Sequence, residues 1–164
     1  MRELKPLSAD AVDAALSKAE RYRLLNEPGE AESICLDVLA VDPSNQAAHV
    51  MLLLALTDQF GEVPGTHARA REVLASLHSG YDRAYYAGII AERRAKAQLP
   101  RGGSSVGAYD WLADAMQSFE EADRLRPQGN DDARLRWNAC VRFLERNPHL
   151  RSSDEDRVEI EMLE

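Results

Sequence analysis

Few side chains in this sequence are spaced to do chemistry. The four histidines, His49, His67, His78 and His149, are scattered, and none has a second histidine four residues along, as a helical His-pair metal site requires. Cys35 and Cys140 fall on the apolar faces of helical patterns, which makes them reduced core thiols rather than a disulfide or a nucleophile. Carboxylates are abundant, but pairs such as Glu120-Glu121 sit on helical patterns where a solvated face accounts for them. The Gly102-Gly103 loop lacks the glycine spacing and the Lys-Ser/Thr ending of a phosphate-binding loop. Arg134 and Asn138 are different: four residues apart, they put a cation and an amide on one helical face. The sequence therefore predicts a protein that is not an enzyme, with no cofactor and no metal.

The elements that would carry these residues are helices. The stretch Val12 to Leu25 carries Ala15, Ala19 and Tyr22 on one face, and Asn26-Glu27-Pro28 breaks it. Pro28 can open the next helix, because the first helical residue needs no N–H donor. That helix carries Ala31, Cys35 and Val38 and stops at Asp42-Pro43. Ser44 or Asn45 caps a third helix, and its run Val50 to Leu56 is apolar nearly all round, which places it centrally. Thr66 is expected to cap a fourth helix running to about His78, with Gly80 ending it. A fifth follows from about Asp82 to Leu99, a sixth from about Val106 to Leu125, and a seventh from about Asp131 to Glu145 with Asn130 as its cap. Ser8 is a candidate cap for the first helix. Ala84, Gly88, Ala91 and Ala95 form a small-residue stripe on the fifth for close helix contact.

One spacing recurs. Ala31, Cys35, Val38 and Pro43 are separated by four, three and five residues, and Ala70, Leu74, Leu77 and Asp82 repeat those separations, as do Ala115, Phe119, Ala122 and Pro127. Turn-rich stretches at Gly61–Gly65 and Pro100–Ser105 account for the unequal distances between sets. Ala19, Tyr22, Ala31, Val38 and Pro43 resemble the tetratricopeptide repeat, a 34-residue helix–turn–helix unit. Ala15 stands where that family usually has Trp, Lys18 where it has Leu, and Glu92 where it has a small residue. The resemblance implies an all-α fold: a right-handed array of helical hairpins, a TPR-like α-solenoid, with about three hairpins and the seventh helix as a C-terminal cap. It would span residues 1–150, with 151–164 as a flexible acidic tail. Trp137 would then pack against the sixth helix.

Composition narrows the partner. The net charge is −8 and 45% of residues are hydrophobic, which argues against nucleic acid or an anionic membrane as partner. No apolar run is long enough to cross a bilayer, and Met1–Pro6 has no hydrophobic signal segment, so a cytoplasmic location is expected. Residues 1–60 hold 5 Lys/Arg against 10 Asp/Glu, 61–150 hold 13 against 12, and 151–164 hold 2 against 6.

The resemblance also implies where a ligand binds, since the first helix of each hairpin lines the concave surface of such arrays. The inward positions would be Leu16, Glu20 and Arg23 on the first helix and Val50, Leu54 and Asp58 on the third. The fifth helix would add Tyr86, Ile89, Arg93 and Lys96, and the seventh Arg134, Asn138 and Arg142. The expected groove, Val50, Leu54, Tyr86, Ile89, Arg93, Lys96, Arg134, Asn138 and Arg142, is apolar in its middle and basic toward its C-terminal end. It would bind an acidic peptide segment of another protein with one or two hydrophobic anchors. A cytoplasmic chaperone for a secreted protein and a homo-oligomeric structural protein are the alternatives.

Overall fold

Each helix starts or stops at a residue with a physical reason to be there. The computed structural model describes residues 2–99 and 105–150. Among these, regular structure is entirely helical: a 3-10 turn at Ala9–Ala11, then α1 Val12–Leu24, α2 Pro28–Val41, α3 Gln46–Thr57, α4 Thr66–Ala75, α5 Gly80–Gln98, α6 Ser105–Leu125 and α7 Asp132–Arg146. The all-α expectation holds. No helix among the described residues is long and apolar enough to cross a membrane. The chain divides at the His78–Ser79 junction into two compact units. The Pro100–Ser104 part of the expected third loop and the acidic tail lie outside the described residues.

In the first unit, α1 ends where Asn26 takes the left-handed conformation (φ 60°), a geometry Asn tolerates better than most residues. The Glu27 N–H donates to Tyr22 O at 2.9 Å, and Pro28 opens α2 as expected. Ala19, Ala31, Cys35 and Val38 are completely buried, so the two backbones approach with little side chain between them. Asn45 caps α3 by accepting from the Ala48 N–H at 2.9 Å. Leu52, Leu53, Ala55 and Leu56 are buried because α3 packs against α2 and α4, and also touches α1. Gln46 ties α3 to the end of α4. Its amide donates to Ser76 O at 3.2 Å and accepts from the His78 N–H at 2.8 Å.

Two boundaries differ from the sequence reading. Thr66 does not cap α4, and the preceding Gly65 (φ 81°) turns the chain into the helix instead. Thr66 is already helical, and its buried hydroxyl donates back to Val63 O at 2.9 Å. Gly80 does not end α4, which stops at Ala75, but opens α5. The reason is Ser79, whose Oγ accepts from the Asp82 N–H at 3.2 Å and so starts the helix two residues earlier. Ser8 precedes the 3-10 turn without a side-chain capping bond.

The second unit is built on the pair α5 and α6. Buried Ala108, Leu112, Ala115, Phe119 and Ala122 recur every three or four residues down one face of α6. Gly88, in the small-residue stripe of α5, receives the Phe119 ring: a methyl group there would stand 2.5 Å from Phe119 Cε1. The adjoining helix α7 packs against α6, and Ala133 and Cys140 are its buried residues. Asn130 helps start α7 by accepting from the Asp132 N–H at 3.0 Å. After α7, Leu150 is buried again, so the chain returns to the body of the unit.

Candidate functional site

The expected groove residues fall in both units. Val50 and Leu54 are half-buried on α3 of the first, and the other seven belong to the second. In the first unit, the proposed inward residues of α1 and α3 meet: Arg23 Nε donates to Asp58 Oδ2 at 2.7 Å and its Nη2 to Oδ1 at 3.3 Å. Glu32 bonds Arg69 and accepts from Gln59 Nε2 at 2.8 Å. These charges are spent within the fold.

In the second unit, Ile89 is 4% exposed and belongs to the core. Tyr86 is half-buried in a tyrosine cluster, edge-on to Tyr85 at 5.1 Å between ring centroids. Burial pushes its phenol up to about 12, so it is no acid or base near neutrality. Arg93 is half-buried, while Arg134, Asn138 and Arg142 are exposed on α7.

Lys96 leads to a site that the sequence reading missed. Its ammonium lies 2.5 Å from Glu92 Oε1, and Arg136 Nη2 of α7 lies 2.7 Å from Glu92 Oε2. Glu92 is 0% exposed. Lys96 also sits over the Phe143 ring, 5.4 Å from its centroid. The acid found in a small-residue position is therefore a buried anion clamped between α5 and α7. Lys96 at i+4 was a readable signal. Arg136, far along the chain, gave none.

A second constellation lies between α6 and α7. A cleft of about 380 Å³ has Phe119, Ala133 and Trp137 among its apolar lining and Asp123, Arg134 and Asn138 among its polar lining. Here the structure brings two expected residues, Arg134 and Asn138, together with Trp137. Trp137 was expected to pack against the sixth helix, and it shares this cleft with Phe119 of α6. Arg134 Nε donates to Asp123 Oδ1 at 2.7 Å, and that bond and charge raise the guanidinium pKa, holding it cationic and oriented. Arg126 supports the same carboxylate at 3.2 Å and bonds Asp131 at 2.5 Å. The Trp137 indole N–H is shut off from solvent without a hydrogen-bond partner among the described residues. The cleft is within the size range of small-ligand and side-chain pockets. The half-buried Trp137 beside an oriented Arg and an amide can hold an apolar side chain and an anionic neighbour.

The thiols are chemically quiet. Burial raises Cys35 to about 12 and Cys140 to about 11, because a thiolate would lose its hydration. The folded state keeps both protons where the unfolded chain loses them near pH 9. Their contribution to stability is therefore complete below about pH 9 and declines as pH rises toward 11–12. A disulfide-exchange reagent at pH 8 should label neither cysteine until the chain opens, and the urea midpoint should fall between pH 8 and pH 10. Rapid stoichiometric labelling of both in the native protein would contradict this. Among the described residues no group of three or more His, Cys, Asp or Glu is placed to hold a metal ion. Comparison of the chain with family models, curated proteins and solved structures finds no match.

Proposed function

We propose that the chain is a non-catalytic interaction module, a TPR-like array of helical hairpins acting as a cytoplasmic adaptor that binds a peptide segment of another protein. One observation carries this reading. The helical residues of the recurring spacing are buried in all three sets with one exception: Ala31, Cys35 and Val38, Ala70 and Leu77, and Ala115, Phe119 and Ala122 are all at most 2% exposed, while Leu74 is half-buried. Repetition of one small-residue interface is the physical basis of helical repeat arrays. Within such an array, the α6/α7 cleft with Arg134 and Asn138 is the surface best suited to a ligand.

The ligand class is an acidic peptide with one or two apolar anchors. Selection from a displayed library of twelve-residue peptides should enrich that pattern. Binding should weaken as salt rises and fall at least tenfold in Arg134→Glu/Arg142→Glu, since exposed charge pairs are screened. No enrichment, or equal binding by the double variant, would remove the reading.

Homo-oligomerisation is favoured by a separate feature: Leu24 and Leu25 at the end of α1 are 82% and 62% exposed, and Leu36 on α2 is 47% exposed. A monomeric mass at micromolar concentration would exclude it.

A further inference from the structure

We propose that residues 158–163 of this chain itself occupy the α6/α7 cleft, screening it from other ligands. This rests on the peptide-binding reading of that cleft. Reach comes first. The cleft lies along the N-terminal half of α7, where Trp137 and Asn138 line it, and α7 ends at Arg146. From Asn138 to the helix end is roughly 12 Å at 1.5 Å per residue. The chain then comes back to the body of the unit, where Leu150 is buried. The residues between Leu150 and Val158 can span up to about 26 Å when extended, enough to return along α7 to the cleft.

Chemistry comes second. The segment reads Val158-Glu159-Ile160-Glu161-Met162-Leu163. In extended form Val158, Ile160 and Met162 share one edge, and Glu159 and Glu161 share the other with Leu163. The cleft offers matching edges. Half-buried Trp137 receives the apolar side chains over the buried Phe119 and Ala133, while Arg134 in the cleft and the exposed Arg142, two turns along α7 and outside its lining, meet the carboxylates. Residues 151–164 carry six carboxylates against two arginines, and α7 carries four arginines against two carboxylates. Tethering makes a weak contact effective, because a short linker holds the segment at roughly millimolar local concentration.

The test uses the two tryptophans as reporters. In a Trp111→Phe background, emission reports Trp137 alone. A chain ending at Arg151 should show altered Trp137 emission, and a synthetic peptide of residues 152–164 added to it should restore the full-length spectrum saturably. The full-length chain should bind that peptide at least tenfold more weakly. Ile160→Asp in the peptide, or Arg134→Glu in the protein, should abolish the restoration. Identical spectra with and without residues 152–164, and no response to millimolar peptide, would overturn the proposal. A Trp137 signal that depends on protein concentration, with a doubled mass, would also overturn it, by placing the segment in a neighbour's cleft. If the truncated chain binds selected library peptides but not this one, the segment proposal fails and the adaptor reading stands. If it binds this peptide but no library peptide, the reverse holds.

Discussion

Phe119→Ala should destabilise the second unit by about 3–5 kcal/mol, the usual cost of removing a fully buried aromatic ring. Phe119 has no exposed surface; its ring fills the space above Gly88 and lies 5.8 Å from the Tyr85 ring. Removing it takes the wall from the face where α5 and α6 meet and leaves a void beneath the cleft. The reciprocal change tests the same contact. Gly88→Ala would place a methyl group 2.5 Å from the ring, closer than side chains tolerate, and should cost about 1–3 kcal/mol. Because the two residues share one space, Gly88→Ala/Phe119→Leu should be less destabilised than the sum of the singles. Both tryptophans, Trp111 and Trp137, lie in this unit, so urea denaturation followed by their emission reads it directly. A Phe119→Ala protein within 1 kcal/mol of the parent would mean that the α5/α6 contact is not as described.

Lys96→Met/Arg136→Met should cost a comparable amount, about 3–5 kcal/mol, because it strands the Glu92 carboxylate in the interior without a cation. The opposite deletion is milder. Lys96 and Arg136 have side chains 43% and 33% exposed, so in Glu92→Leu they can turn toward water. The triple variant Glu92→Leu/Lys96→Met/Arg136→Met should recover most of the loss, since apolar residues of similar volume commonly replace a buried ion cluster without penalty. Denaturation midpoints for the three proteins check the order. If the double variant melts with the parent, Glu92 is not buried in solution.

Together these two results would show that α7 is held by two different means, packing against α6 beside Ala133 and an ion cluster that ties Arg136 to Glu92 of α5.

What the sequence determined by itself is the set of features that depend on neighbours along the chain. Helix periodicity is set by residues three and four apart, which is why the Ala31-Cys35-Val38 and Ala115-Phe119-Ala122 faces were legible, and why both proved buried. The break at Asn26–Pro28 and the Asn45 cap act through bonds to atoms within a few residues, so they too were readable. The i,i+4 pair Arg134 and Asn138 could be placed on one face for the same reason. Boundaries failed where two local signals competed, Gly65 against Thr66 for the start of α4 and Ser79 against Gly80 at the start of α5, and at Ser8, which makes no side-chain capping bond. Tertiary structure alone decided the rest. Nothing local makes Glu92 a core residue. It is buried because Arg136 arrives from another helix to neutralise it. Nothing local says that Gly88 is glycine to admit Phe119, or that Asp123 orients Arg134. Contacts between residues far apart in sequence depend on how helices pack, and packing is a property of the assembled volume that no periodic pattern encodes.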